Sequence, residues 1–203
     1  MSIQERKLRE KQEKRQMILK AAMELLINEG FDNVSTRKIA SKIDYSSATI
    51  YTYFKDKDAI LYELHIIGFD LLYKKQLSIQ NISDPLERLC QHGKEYLEFS
   101  MEYPEYYEIM FLIRIPSLDF QNSPVWEQGE RSYKILKKNV AECKKAGYFK
   151  NRESEEVTLT LWSVCHGMVS LYSRRRVILE LLDKDYYKNF INNIDSLFRN
   201  LIK

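Results

Sequence analysis

Apolar residues recur every three to four positions along most of the chain, which is the spacing of amphipathic helices. The first such run predicts a helix from Ile3 to Glu29, with Gly30 at the position of a left-handed C-terminal cap. Its apolar positions are Ile18, Ala21, Ala22, Leu25 and Leu26. No stretch of the sequence alternates strictly between apolar and polar residues, and no internal repeat is visible. The pattern predicts an all-α protein.

Capping and helix-breaking residues divide the remaining sequence into eight further helices. Ser35 and Ser46 are suitable N-caps for two short helices, and Asp84 is a cap followed by proline in the first turn. An irregular segment that contains Pro116 is expected over residues 113–122. The eight helices are expected over residues 36–43, 47–53, 57–79, 84–103, 105–112, 124–147, 152–177 and 184–202. The prediction is therefore about nine helices in total.

The two short helices and the three-residue turn between them have the spacing of a helix-turn-helix. Asp44 in the turn is one of the few non-glycine residue types that tolerate a positive φ. The residues spaced to pack these helices together and against the first helix are Ile39, Ala40, Ile43, Ile50 and Phe54. The exposed side of the second short helix would then show Ser47, Thr49, Thr52 and Tyr53. In a major groove, short hydroxyl side chains can touch base edges or phosphates.

The composition fits a globular protein whose positive charge is concentrated near its N-terminus. Of 203 residues, 44% are hydrophobic and 30% are charged, and the net charge is only +3. Residues 1–57 contain 12 Lys/Arg and 8 Asp/Glu, so this part holds all of the excess positive charge. This distribution is compatible with nucleic-acid binding, and the alternative is that the charged residues only form solvated helix faces. The longest apolar run is Ile109 to Ile113, and the first residues contain no apolar block. We therefore expect a cytoplasmic protein that does not associate with membranes.

The residue types that carry catalysis or bind metals are not spaced for either task. The cysteines are Cys90, Cys143 and Cys165, and the histidines are His65, His92 and His166. Neither set has the spacing of a disulfide framework or a metal site, so we expect the cysteines to be core residues. The sequence contains no Gly-rich phosphate loop and no G-x-S-x-G motif. We expect a protein without enzymatic activity, metal or cofactor.

Residues 15–62 resemble the DNA-binding region of the TetR family of bacterial transcriptional regulators. The matching elements are Ile18 to Ala22, Gly30-Phe31, Ser35-Thr36, Ile39-Ala40, Ser46, Thr49-Ile50-Tyr51, Tyr53-Phe54 and Lys57. The sequence departs from the family at Asp44-Tyr45, where glycine followed by valine is usual. The resemblance implies a three-helix DNA-binding head over residues 1–56 and a larger helical effector-binding and dimerisation domain over residues 57–203.

The same resemblance implies roles for individual residues in binding double-stranded DNA. The candidate DNA-binding residues are Thr36, Arg37, Ser46, Ser47, Ala48, Thr49, Tyr51, Thr52, Tyr53 and Lys57. Thr36, Tyr51 and Lys57 are expected at phosphates. Arg37 is expected at a base, because the second short helix contains no Arg, Lys, Asn or Gln. Two alternatives stay open, namely that the ring of Tyr51 only packs beneath the helix and that Lys57 is only a solvated lysine.

The last two helices have more apolar surface than a monomer core requires. The helix around residues 157–172 is apolar on several sides and contains the small residues Ser163, Gly167 and Ser170. The last helix has a nearly heptad stripe formed by Tyr187, Phe190, Ile191, Ile194, Leu197, Phe198 and Leu201. We expect these helices to pair with their copies in a four-helix homodimer interface. The alternative is that both stripes belong to the monomer core.

Aromatic residues are dense between residues 96 and 126, as in the apolar pockets that bind small molecules. The resemblance implies a small-molecule effector there, whose binding shifts the long fourth helix and changes the separation of the two DNA-binding heads. The candidate lining residues are Tyr107, Met110, Phe111, Arg114, Trp162 and His166. For each of them, the alternative is an ordinary core position.

These expectations combine into one function and one alternative. The expected protein is a TetR-type regulator, acting as a repressor, that binds a pseudo-palindromic operator as a homodimer and is released by a small hydrophobic effector. Activation instead of repression fits the sequence equally. The alternative class is an effector-independent helical DNA-binding, nucleoid-organising or interaction protein that uses the same head.

Overall fold

The computed structural model describes residues 2–113, 127–176 and 184–201, and every regular element within these ranges is helical. The helices are α1 (Ile3–Glu29), α2 (Thr36–Lys42), α3 (Ser47–Tyr51), α4 (Lys57–Ser78), α5 (Pro85–Glu102), α6 (Pro104–Tyr107), α7 (Glu127–Lys145), α8 (Ser154–Ser173) and α9 (Lys184–Leu201). The all-α prediction is confirmed. The predicted irregular segment beyond residue 113 and the predicted helix start at residue 124 lie outside the described ranges.

Side-chain caps explain where several helices begin. Ser2 and Glu5 form a capping box at the start of α1, and each side chain bonds the backbone N–H of the other residue. The side chains of Ser35, Ser46 and Asp84 accept hydrogen bonds from the third residue of α2, α3 and α5. These caps were visible in the sequence, so the predicted starts of the three helices are confirmed.

Helix ends and one helix interior differ from the prediction. Helix α3 ends at Tyr51, before the predicted end at residue 53. The two residues that follow form bonds of the i→i−3 type, from Thr52 N to Thr49 O (3.1 Å) and from Tyr53 N to Ile50 O (2.9 Å). The helix predicted over residues 105–112 is instead the short α6 followed by a π-helical turn, Glu108–Leu112. Hydrogen-bond register within one helical run is not encoded by hydrophobic spacing.

The described residues form two compact units, each with its own core. The first unit comprises residues 2–68 and 105–113, and the second comprises residues 69–104, 127–176 and 184–201. Helix α4 contributes residues to both. The functional boundary after residue 56 stays a prediction.

Three helices pack together at the centre of the first unit. Four of the five residues expected between α1, α2 and α3 are buried, namely Ile39, Ala40, Ile50 and Phe54. Ile43 is only half-buried, because it lies at the C-cap of α2 where the chain turns away. From α1, the expected residues Ile18, Ala21, Ala22, Leu25 and Leu26 are buried.

The turn between α2 and α3 is a Schellman motif with Asp44 at its left-handed position. Asp44 has φ 57°, as the sequence predicted. The N–H of Tyr45 bonds the carbonyl of Ala40 (2.9 Å), and the N–H of Asp44 bonds that of Ser41 (3.4 Å). These two bonds satisfy carbonyls that the end of α2 would leave unpaired.

In the second unit, α5 packs against α7, α8 and α9. Gly93 permits the approach of α9, because a Cβ at this position would lie 2.9 Å from the ring of Phe198. The stripe of α9 therefore serves the monomer core to a large extent. Of its seven residues, Tyr187, Ile191, Ile194 and Phe198 are buried, whereas Phe190 and Leu197 are half-exposed and the side chain of Leu201 lies outside the described residues.

A buried polar network joins α4, α5 and α7 inside the second unit. His92 Nε2 lies 3.2 Å from the amide nitrogen of Gln76, and His92 Nδ1 lies 3.2 Å from the amide nitrogen of Asn139. Arg88 donates to Asn139 (3.3 Å) and pairs with Glu142. Burial lowers the pKa of His92 to about 4, so its ring is neutral at physiological pH.

The cysteines are free and buried, which confirms the expectation that they are core residues. Burial raises the thiol pKa to about 11 for Cys90 and to about 12 for Cys143 and Cys165. Within the described residues, no group of three His, Cys, Asp or Glu side chains is placed to hold a metal ion. The helices in the described ranges are all too short or too polar to cross a membrane.

Replacing Asp44 tests whether a left-handed residue holds the α2–α3 turn. We expect the free energy of unfolding to be about 1 kcal/mol higher for Asp44→Gly than for Asp44→Ala, because the left-handed conformation is unfavourable for an L-residue with a Cβ. Urea denaturation followed by circular dichroism measures the difference. Equal stability of the two variants would contradict the observed turn geometry.

Candidate nucleic-acid interface

Helix α3 is held by one buried side and exposes the other. Ile50 is fully buried, whereas Ala48 and Thr52 are exposed and Ser47 and Thr49 are half-buried. The predicted hydroxyl face therefore reaches the surface of the first unit. A short helix presented in this way can enter a major groove.

Hydrogen bonds at both ends of α3 orient its hydroxyl groups. Ser46 Oγ accepts a bond from the N–H of Thr49 (3.2 Å) and lies 3.0 Å from Thr49 Oγ1. Thr52 Oγ1 donates to the carbonyl of Thr49 (2.7 Å). Because each hydroxyl oxygen also accepts bonds, these groups can still contact a ligand on the exposed side.

Thr36 and Tyr51 come together from two helices. Their hydroxyl oxygens lie 3.2 Å apart, which joins the start of α2 to the end of α3. Tyr51 is 55% exposed, so its ring is not packed beneath the helix. The pair presents two hydroxyl groups at one surface position, as a phosphate contact would require.

Arg37 and Lys57 have different surroundings. Arg37 is exposed in the first turn of α2, and no carboxylate within the described ranges forms an ion pair with it. Lys57 is half-buried, donates to the carbonyl of Phe31 (3.3 Å) and lies 4.3 Å from the centre of the Phe31 ring. Lys57 is therefore anchored at one position, unlike a fully solvated lysine, while its ammonium group keeps further donors.

Arg15 fixes this surface to α1, and the sequence analysis did not identify it. Its guanidinium donates to Glu63 (2.8 Å) and to the carbonyl of Tyr53 (2.9 Å), and it stacks 4.2 Å from the centre of the Phe54 ring. Arg15 thus ties α1 to the end of α3 and to α4. Its position three residues before Ile18, on the buried side of α1, was the available signal.

The effector candidates belong to both units and are described within each. In the first unit, Tyr107 and Met110 are buried, and the ring centres of Tyr107 and Phe111 lie 4.9 Å apart. Met110 approaches Gly68 closely, since a Cβ on Gly68 would lie 2.5 Å from the Met110 sulfur. Arg114 lies outside the described residues.

In the second unit, Trp162 and His166 meet at Tyr96, which the sequence analysis did not include among the lining residues. Trp162 Nε1 donates to the Tyr96 hydroxyl (3.2 Å), and this hydroxyl lies 3.1 Å from His166 Nδ1. Burial lowers the pKa of His166, which favours the neutral ring that can accept at Nδ1. Tyr96 and Trp162 are aromatic side chains with one polar atom each, and His166 adds two ring nitrogens. Such a mixture of apolar and polar groups is the composition expected of a ligand pocket.

The chain matches two family models, one in its N-terminal part and one in its C-terminal part. Residues 18–64 match "Bacterial regulatory proteins, tetR family", and residues 89–195 match "Tetracyclin repressor-like, C-terminal domain". The first match contains the helix-turn-helix, and the second covers more than half of the chain.

Known proteins similar to this chain include one transcriptional regulator with a related sequence and two proteins with a similar fold. A segment of 142 residues is 25% identical to the HTH-type transcriptional regulator HbdR of Aromatoleum sp. (strain CIB), covering 68% of this chain and 61% of that protein. The chain thus spans about three-fifths of that relative. The fatty acid degradation regulator FadR from Bacillus halodurans has a similar structure, with a TM-score of 0.75, 17% identity and coverage of 91% and 94% of the two chains.

A further similar structure is that of AibR in complex with isovaleryl coenzyme A and operator DNA. Its TM-score is 0.70, with 16% identity and coverage of 90% of this chain and 96% of that chain. These two solved structures share the fold seen here. The matches over residues 18–64 and 89–195 identify this chain as a member of the TetR family of DNA-binding transcriptional regulators.

Proposed function

We propose that the chain is a cytoplasmic, homodimeric transcriptional repressor that binds a pseudo-palindromic DNA operator and is released by a small hydrophobic effector. The observation that carries the proposal is the exposed face of α3, whose opposite side is fixed by the buried Ile50. A helix held on one side and open on the other can be inserted into a groove without rearranging the core.

Base edges of the operator are recognised by short side chains of α3 and by one arginine of α2. Ser47, Thr49 and Thr52 supply hydroxyl groups for base edges, and Ala48 can contact a thymine methyl group. Arg37 reads a guanine from the first turn of α2, because its exposed guanidinium can form two parallel bonds to O6 and N7. Thr36, Tyr51 and Lys57 contact phosphates, and Tyr53 lines the groove together with the side chains of α3.

The dimer forms through one open face of α8, together with the exposed part of α9. Leu159 and Leu171 are 52% and 47% exposed, and they lie on the same side of α8 as Gly167. A Cβ at Gly167 would meet nothing within 4 Å, so another helix can approach closely there. Two heads related by a two-fold axis require a site with matching half-sites about one or more helical turns apart.

The effector binds in the second unit, where Tyr96, Trp162 and His166 supply the polar atoms. The hydrophobic surroundings favour a compound with an apolar portion that these side chains can enclose. AibR shares the fold and holds isovaleryl coenzyme A, so acyl-coenzyme A thioesters are the first class to test. If the effector weakens operator binding by some factor, the operator weakens effector binding by the same factor.

Selection of bound duplexes from a random DNA pool, at low and moderate salt, tests the proposal directly. We expect a two-fold-symmetric site. On that site, Arg37→Ala should weaken binding by about 1–3 kcal/mol and relax specificity at one base of each half-site, because Arg37 reads that base.

The control for Arg37→Ala is the same measurement on random duplexes. Equal losses on the selected and the random DNA would show that Arg37 contacts only phosphate. Selection that returns sequence-blind, wholly salt-sensitive binding would instead favour an effector-independent, nonspecific DNA-binding protein.

The dimer is tested at Gly167. We expect Gly167→Arg to give a species of 24.3 kDa in analytical ultracentrifugation, because a long charged side chain would occupy the open face of α8. Leu159→Glu, on the same face, should likewise sediment as a monomer. Gly167→Ala is the matched control and should remain dimeric. A Gly167→Arg protein that sediments as a dimer would place the interface elsewhere.

The effector is tested by fluorescence. The chain has two tryptophans, so Trp126→Phe leaves Trp162 as the single reporter. We expect isovaleryl-coenzyme A to change this fluorescence and to raise the operator Kd, and His166→Ala to weaken ligand binding while free protein still binds the operator normally. A thioester that binds at Trp162 without changing operator affinity would contradict regulation by this class.

A further inference from the structure

A groove next to α3 is lined by lysines of the first half of α1. Its lining residues are Lys7, Glu10, Lys11, Lys14, Thr52 and Tyr53, and it has a volume of about 300 Å³. The three lysines are exposed. Thr52 and Tyr53 belong to the surface proposed above to bind DNA, so the groove extends that surface along α1.

The lysines continue the buried face of α1. Lys7, Lys11 and Lys14 are spaced four and three residues apart, and the same spacing leads on to the buried residues Ile18 and Ala22. One side of a single helix therefore changes from apolar to cationic at residue 14. The change occurs where α1 leaves the core and runs past the end of α3.

Carboxylates of the same helix do not cancel this charge. Glu10 and Glu13 pair with Arg6 (2.9 Å) and Arg9 (3.3 Å), and Glu5 belongs to the capping box. All three glutamates of residues 2–14 are thus engaged by partners in their own helix. Over the described part of the chain, no ion pair involves Lys7, Lys11 or Lys14, although Lys14 lies 5.9 Å from the centre of the Tyr45 ring.

The position of the groove is fixed by Arg15. This residue follows Lys14 directly and bonds the carbonyl of Tyr53, which forms the opposite side of the groove. The capping box at Ser2 maintains the helix to its first turn. The lysines therefore extend from a capped helix instead of a free tail.

We propose that Lys7, Lys11 and Lys14 form a phosphate-binding stripe that extends the DNA contact beyond α3 without reading sequence. The stripe spans about 10 Å of helix, a length that faces about three phosphates of one strand in B-DNA. A lysine ammonium is a flexible point charge and suits phosphate better than bases. This inference rests on the proposed DNA-binding function of α3.

The triple variant K7Q/K11Q/K14Q tests the stripe in the full chain. Glutamine keeps helix propensity and removes the charge. We expect the slope of log K against log salt concentration to fall in magnitude by about 2–3, since each phosphate contact contributes about 0.9. Affinities for the selected site and for random duplexes should fall by the same factor, because the contacts are independent of sequence.

Two matched variants separate contact from net charge. K145Q/K150Q/K188Q removes the same charge from exposed lysines of the second unit and should leave the slope unchanged. K7R/K11R/K14R keeps the charge and should retain the wild-type slope. The stripe is overturned if K7Q/K11Q/K14Q changes the slope by no more than K145Q/K150Q/K188Q does.

The two proposals fail in different ways. If Arg37→Ala weakens operator binding but K7Q/K11Q/K14Q does not change it, the stripe is contradicted and the proposed function stands. A reduced salt slope in K7Q/K11Q/K14Q, with wild-type binding that has no sequence preference, would support the stripe and remove the operator. Wild-type protein that binds no duplex at all would overturn both.

Discussion

The burial of Ile50 determines what the rest of the first unit can present. Its side chain is fully enclosed, and neighbouring helices supply the equally buried Ile39 and Ile18. With only five residues, α3 cannot be stable alone, so its helical form depends on this packing. The packing of Ile50 therefore positions the hydroxyl groups on the outer side of α3. Arg15 adds a second attachment through its bond to the carbonyl of Tyr53.

The second unit uses its aromatic and apolar residues in a different way. Close approach of α5 and α9 at Gly93 buries Phe198, and Ser100 binds the hydroxyl of the buried Tyr187 (3.2 Å). Most of the described residues of the α9 stripe are thus buried in the core of a single chain. The exposed apolar surface is narrower than the hydrophobic pattern indicates, and on α8 it includes Leu159 and Leu171.

Features set by local chemistry could be predicted from the sequence. The caps at Ser35, Ser46 and Asp84 and the left-handed Asp44 depend on a few neighbouring residues, so their types were informative. The partner that a side chain contacts across the fold could not be predicted. Hydrophobic spacing alone cannot say whether an apolar stripe faces its own chain or a copy, and it gave no indication that Arg15 would reach Glu63, 48 residues away.

The enclosed cysteines have a consequence for the kinds of signal this regulator can detect. With thiol pKa values of about 11 to 12, Cys90, Cys143 and Cys165 carry almost no thiolate at neutral pH, and thiolate is the form that oxidants and electrophiles attack. Oxidative stress therefore has no covalent point of entry at these sulfur atoms.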